Sequence, residues 1–397
     1  MSKILFTWEL GGGYGHLYRL SLLATALHQQ GHDVSFIVRD LKRANYVLET
    51  EGFPVLQAPV HLHKSTLPIS LNYAEVLFRC GYQDHHALAG LFKAWRLSLE
   101  QVQPDLLIAD HSPTALLAAR SLGIKRILIG TSFQSPPRTS PMPSLQPWKK
   151  ISGQNLLGSE KKALRLVNNL LRQLNIPTLE NFAEILSVDK DFLCTFPELD
   201  HYGSRQNAKY WGPVIQSATD NTPDWPKQKG EKIFVYISAS HGQFKYLINH
   251  LNSLKLPVLV YARDLPTQFI DNWQSRYLSF AREPVDLSQV VKQCRLVISH
   301  GGHGTSASML LAGIPMLIIP QHLEQTLLGY RLAQQGLAVM VNPVEKQIHY
   351  ADLIKKILNS EGFFRKSQAV ASQYQSFDSK AQIAEIADHC QQLLDKN

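Results

Sequence analysis

The sequence predicts an α/β protein made of two doubly wound parallel-sheet domains, and three observations carry that prediction. Near its start the apolar run Lys3–Trp8 empties into a glycine loop, Gly11-Gly12-Gly13-Tyr14-Gly15-His16, and then into a helical pattern. Far downstream the arrangement returns. The strand Leu296–Ile298 runs into His300-Gly301-Gly302-His303-Gly304-Thr305, then a helix from Ser306 to Ala312 and a strand from Pro315 to Ile319. The chain has 397 residues, long for one domain and comfortable for two.

In chain order, Lys3–Trp8 is the first strand, and Leu17 to Gln30 a helix burying Leu20, Leu23, Ala24 and Leu27. Gly31 stops that helix and Val34–Val38 is the next strand, completing a βαβ unit. Its loop is no dinucleotide fingerprint, because His16 occupies the third glycine place. Leu106–Ala109 is a strand with Asp110 at its end, followed by a helix from Thr114 to Ser121. Residues 60 to 100 and 131 to 180 read as less regular, the latter with Pro136, Pro137, Pro141, Pro143 and Pro147. The aromatics Tyr73, Phe78, Tyr82, Phe92 and Trp95 read as ordinary core, with an apolar ligand wall as the alternative.

The first domain is expected to span residues 1–213, ending at Trp211-Gly212-Pro213. A polar linker, 214–230, follows, and a second domain over 231–375 opens with the strands Ile233–Ser238 and Val258–Tyr261. Helical patterns run from Tyr350 to Asn359 and from Ser379 to Leu394, with 376–397 set apart as a terminal helix.

Forty Lys and Arg against 32 Asp and Glu give a net charge of +8, which favours anionic partners. The basic residues are dispersed and no nucleic-acid motif is present, so no nucleic-acid partner is expected. Cys80, Cys194, Cys294 and Cys390 lie far apart without metal or redox spacing, which suggests reduced thiols in the cytoplasm. The N-terminus lacks a signal-peptide pattern, and no apolar run approaches the roughly 20 residues of a membrane helix. The location expected is cytoplasmic, with peripheral contact at the inner membrane face left open.

The downstream loop has its own chemistry. Glycines let backbone approach a ligand, and the loop delivers it to a helix N-terminus, where free N–H groups favour an anion. His300 and Thr305 add side-chain donors there. A phosphate or diphosphate site is the reading favoured over a plain connecting turn. His61, His63, His85 and His86 lack a third ligand, so no metal is expected. Asp189-Lys190-Asp191 matches DxD literally but leads into a strand, Phe192–Thr195, and reads as solvated surface.

His300-Gly301-Gly302, Gly304-Thr305, Gly313-Ile314-Pro315, Pro320 and Glu324-Gln325 together resemble the donor signature of the inverting UDP-glycosyltransferase superfamily. That superfamily includes macrolide and glycopeptide glycosyltransferases and, distantly, the peptidoglycan N-acetylglucosaminyltransferase. The resemblance implies the GT-B fold, two Rossmann-like domains facing across a cleft, with the last helix packed back on the N-terminal domain. It implies that His300 contacts the diphosphate, that the Gly304–Thr305 backbone and Thr305 hydroxyl cap it, and that Glu324 and Gln325 bind sugar hydroxyls. Ser308 stands where many UDP-sugar members carry a glutamate for the ribose, and its single hydroxyl cannot grip both ribose oxygens. Arg282 falls near the place of a base-stacking tryptophan. Of a Ser-x-Gly-Ser-like turn, Ser238-Ala239-Ser240 keeps only Ser240.

The first loop also resembles that of these enzymes, where a Gly-His pair opens the first helix. The resemblance implies that Gly12, Gly13 and Gly15 shape an acceptor or phosphate loop and that His16 is the general base. The proline usual three places later is replaced by Arg19. The segment around Asp110 resembles the one supplying the carboxylate that orients such a base, with His111 a weaker alternative. The function implied is transfer of a sugar from a UDP or dTDP donor to an acceptor hydroxyl, small-molecule or lipid-linked, with inversion. No cofactor and no metal are implied. A nucleotide-sugar epimerase of the same fold and a non-catalytic nucleotide-sugar binder remain the alternatives.

Overall fold

The computed structural model describes residues 1–62, 65–215, 221–342 and 348–396. His63 and residues 216–220 of the expected linker therefore lie outside the described residues. The chain forms two compact units. One comprises Met1–Phe196, Ser204–Val214 and Asp378–Asn397; the other comprises Pro197–Gly203 and Ile215–Phe377.

The first unit holds six strands: β1 (Lys3–Trp8), β2 (Asp33–Val38), β3 (Val55–Gln57), β4 (Leu106–Asp110), β5 (Lys125–Gly130) and β6 (Lys190–Leu193). They lie in the order β3-β2-β1-β4-β5-β6, every neighbouring pair parallel. Strand side chains alternate between faces, and both faces are covered. Ile4, Phe6 and Trp8 enter one core cluster with Val34, Phe36, Leu106 and Ile108; Leu5 enters another with Ile37, Leu107, Ala109 and Leu128. Such a strand must be apolar throughout, which is why these segments were legible.

The second of those cores contains Tyr73, Phe78, Tyr82, Phe92 and Trp95, the aromatics read as core. The first is closed by Ile383, Ile386, Ala387 and Cys390 of the helix Ser379–Asp395. Full burial of each Ile contributes roughly 1.5–3 kcal/mol. Lys125 Nζ donates to the Leu393 carbonyl near that helix end at 2.9 Å, a favourable place for a cation.

Residues 131–180 are more regular than expected. The helix Gly153–Gln173 runs for 21 residues, burying Leu156, Ala163, Val167, Leu170 and Leu171 at helical spacing after the prolines. Residues 60–100 likewise carry the helices Tyr73–Phe78 and His85–Val102.

The second unit repeats the plan with β7 (Ile233–Tyr236), β8 (Val258–Tyr261), β9 (Leu278–Ala281), β10 (Leu296–Ser299), β11 (Met316–Ile318) and β12 (Ala338–Met340). Their order is β12-β11-β10-β7-β8-β9, again all parallel. Residues 197–203 are held in this unit. Arg331 donates to the carbonyls of His201 and Tyr202 at 3.0 and 3.1 Å, and the Tyr374 hydroxyl donates to Glu198 at 2.7 Å. Among the described residues no helix is long and apolar enough to cross a membrane, and the four cysteines are free.

Candidate active site

In the first unit β1 lies between β2 and β4, so connections depart from it to opposite sides. The strand carboxyl ends at such a point are where open α/β sheets take ligands. Trp8, the last residue of β1, is in register with Asp110, the last of β4. His16 is the second residue of the helix Gly15–Gln29, and its Nδ1–H donates to Asp110 Oδ1 at 2.9 Å. With the proton held on Nδ1, Nε2 keeps a lone pair.

Arg19, one turn along the same helix, donates from Nη1 to the other carboxylate oxygen at 2.5 Å. Burial alone would push the Asp110 carboxyl up, but His16 and Arg19 more than offset it and hold it below the usual carboxylate range.

The imidazole of His16 is fixed on its faces as well. The Trp8 ring stacks on it at 5.1 Å and the His111 ring at 6.3 Å. Gly11, at φ +86°, passes so close that a Cβ there would lie 2.8 Å from Nε2, so only glycine keeps that nitrogen open. Gly13 shares φ +86° in open space, while Gly12 and Gly15 have no positive φ and crowd nothing. All three are exposed along the loop.

His111 takes a left-handed φ of +50°, and burial, then His16, pulls its imidazole down to about 3. It is neutral and packs rather than titrates. Glu9 is buried and accepts from the Thr114 N–H at 2.9 Å and its hydroxyl at 2.5 Å, with the Tyr82 hydroxyl 2.9 Å beyond. Burial pushes this carboxyl up to about 7. The contact ties the start of the helix Pro113–Ser121 to the end of β1, which sets the turn that follows Asp110.

In the second unit, β10 and β7 are adjacent, with Ser299 opposite Tyr236. His300 follows β10. Gly301 then turns at φ +79°, where a Cβ would meet Ile318 Cγ2 at 2.8 Å and the Gln325 carbonyl oxygen at 3.5 Å. Gly302 precedes the helix His303–Ala312, which begins three residues earlier than expected because the loop's second half is already helical. No side chain caps that helix, so the first-turn amides, Gly304 and Thr305 among them, are available to an anion. Burial first, then His322 and His241, pulls the His300 imidazole down to about 4. At neutral pH it offers an anion an N–H donor rather than a charge.

The other expected donor residues surround this loop unevenly. Glu324 lies in the first turn of the helix Leu323–Gln335. Gln325 is buried and its side-chain oxygen accepts from the Gln321 N–H at 2.9 Å, leaving its amide hydrogens as donors. Ser308 donates its hydroxyl to the Gly304 carbonyl at 3.1 Å, so only lone pairs remain. Ser240 is exposed beyond β7, 2.8 Å from the Ser238 hydroxyl. Arg282, exposed beyond β9, donates to Thr267 Oγ1 at 3.2 Å.

Among the described residues no group of three or more His, Cys, Asp or Glu side chains is placed to hold a metal. In the DxD stretch Asp189 is exposed as expected, while Lys190 and Asp191 are half-buried. Asp189 accepts the Arg126 N–H at 2.7 Å, and Asp191 on β6 accepts from Ser135 and Arg138, each at 2.8 Å. The strand begins at Lys190, which turns Asp191 inward to these partners.

Residues 270–390 match the glycosyltransferase family 28 C-terminal domain. Over 394 residues the chain is 24% identical to a Mycobacterium tuberculosis PGL/p-HBAD biosynthesis glycosyltransferase, covering 94% of this chain and 88% of that one. Among solved structures it superposes on the calicheamicin glycosyltransferase CalG4 with TM-score 0.72 at 14% identity, covering 100% of this chain and 98% of the other. A Streptomyces sp. SF2575 glycosyltransferase, solved with thymidine diphosphate, gives TM-score 0.65 at 17% identity, covering 99% and 100%. The chain has the two-domain fold of the GT-B glycosyltransferases.

Against the family resemblance the informative departure is Arg19. Its spacing from His16 on one helix face was readable, but its partner lies 91 residues away. Gly11 and Glu9 were also missed. Gly11 was readable as one more loop glycine, and nothing local marks Glu9 as buried.

Proposed function

We propose that this glycosyltransferase moves a sugar from a UDP or dTDP donor to an acceptor hydroxyl, with inversion and without a metal. The observation that carries the reading is the 2.9 Å bond from His16 Nδ1 to the buried Asp110, with Nε2 left open beside Gly11. In it, Nε2 takes the proton of the acceptor hydroxyl as the oxygen attacks the anomeric carbon, and Asp110 stabilises the imidazolium that forms. Attack opposite the leaving group inverts the anomeric centre. The diphosphate leaves with its charge on the His300 N–H and the first-turn amides at Gly304 and Thr305, hydrogen-bond donors that serve where other enzymes use a cation. Glu324 and the amide of Gln325 are assigned to sugar hydroxyls, and Ser308 and Ser240 to the nucleotide side.

Thermal shifts with UDP, dTDP, GDP and ADP, each with and without magnesium, test the donor half. A nucleotide at 100 times its Kd stabilises by about 2.7 kcal/mol. A shift for UDP or dTDP that ignores magnesium is expected, and no shift with any nucleotide refutes the donor site. His16→Ala is expected to keep nucleotide binding and lose turnover. Equal turnover by the variant removes His16 as base.

A further inference from the structure

Asp110 has two charge partners, and the resemblance accounted for only one. The carboxylate is fully buried; His16 and Arg19 are each 7% exposed. His16 takes Oδ1 and Arg19 takes Oδ2, both from the first turns of one helix. We propose that Arg19 is a positioning residue that fixes the Asp110 carboxylate from behind and sets how strongly His16 holds a proton.

The argument is electrostatic. A buried carboxylate facing an imidazole alone would commit its whole negative charge to the imidazolium and make the base hold its proton tightly. With a guanidinium on the second oxygen the pair is already neutral, so protonated His16 gains the hydrogen bond and less of the charge. Arg19 also keeps Asp110 ionised and its rotamer fixed, since both oxygens are held.

The other groups facing this cluster supply no substitute. His111, beside Asp110, is neutral. Cys194, past β6, is pushed by burial up to about 12 and is likewise uncharged. Arg39, beyond β2, acts on Glu9 and His111, while Asp191 acts on Cys194. Arg19 is thus the cation that meets Asp110 directly, at the place where resembling enzymes often have proline.

The inference uses the reading of His16 as base, and its test does not. The His16 imidazole is titrated by nitrogen-15 NMR in the full-length protein, assigned by loss of its signals in His16→Gln. Arg19→Met is expected to raise the His16 midpoint by about one unit or more, and Arg19→Lys to return most of that shift. A midpoint in Arg19→Met within about 0.3 unit of wild type overturns the proposal. Should Arg19→Met not fold, Arg19→Gln removes the charge and keeps a donor for Oδ2. The same upward shift is expected there, and its absence also overturns the proposal. Once an acceptor is in hand, the acid limb of kcat/KM should move with the NMR midpoint. A shifted midpoint in a protein that turns over no acceptor would leave the Arg19 assignment standing and refute the enzymatic reading.

Discussion

Replacing Gly301 with alanine strikes the donor loop at its tightest point. Gly301 is buried, its φ is +79°, and the new Cβ would lie 2.8 Å from Ile318 Cγ2. The left-handed backbone alone costs an L-residue about 1–2 kcal/mol. Forcing a methyl against a packed β11 side chain adds about 1–3 kcal/mol, so Gly301→Ala should lose about 2–5 kcal/mol. The two contributions separate in a double-mutant cycle. Ile318 is fully buried, and Ile318→Ala alone should cost about 2–5 kcal/mol while removing the atom that clashes. The double variant should therefore be more stable than the sum of the singles predicts, by about 1–3 kcal/mol, the backbone part remaining.

Urea unfolding monitored by fluorescence and circular dichroism measures the stabilities, and calorimetry with UDP or dTDP measures the loop. The loop leads directly into the helix His303–Ala312, so the single variant should bind nucleotide at least about tenfold more weakly. Strict additivity of the two substitutions would refute the clash. Unchanged nucleotide binding in Gly301→Ala would refute the placing of the diphosphate there.

Two further outcomes are expected. Glu9, raised by burial from 4.5 to about 7, holds its proton more tightly folded than unfolded, so its contribution to stability declines as pH rises from about 4.5 through about 7. The loss is on the order of 3 kcal/mol and should vanish in Glu9→Gln. His111 and His300 act oppositely, resisting protonation when folded and costing stability as pH falls below about 6.5. The difference curve between wild type and Glu9→Gln isolates the first effect, and a flat difference refutes it. A lipid-linked acceptor would bring the protein to anionic bilayers. Ile69 and Trp148 are exposed, with Lys149 and Lys150 beside the latter. Co-sedimentation with anionic vesicles at low salt, lost in Lys149→Glu/Lys150→Glu, is expected on that reading, and no pelleting at low or moderate salt sinks it.

Where the sequence was readable, the reason is physical. Parallel strands covered on both faces must be continuously apolar, and a turn that leaves such a strand at positive φ with no room for a Cβ needs glycine. Lys3–Trp8 with Gly11, and Leu296–Ser299 with Gly301, announced themselves on those grounds. What stayed hidden depends on long-range placement. Arg19 looks like any helix arginine until β4 brings Asp110 beside it, and Glu9 looks like a solvated loop acid until Thr114 closes over it. The prolines after Pro136 masked the helix Gly153–Gln173, whose apolar residues were spaced for a buried face all along. The inward turn of Asp191 likewise depends on Ser135 and Arg138, more than fifty residues upstream.

The return of the helix Ser379–Asp395 to the first unit has a consequence for synthesis on the ribosome. The core containing Ile4, Phe6 and Trp8 is closed by Ile383, Ile386 and Cys390, which are made only after the whole of Ile215–Phe377. On the ribosome most of the first unit would emerge early and wait, without this part of its core, while the second unit is made. The unit begun first would then be the one finished last. During that interval the uncovered core is the surface a chaperone would hold, and a stalled or truncated chain would lack its cover.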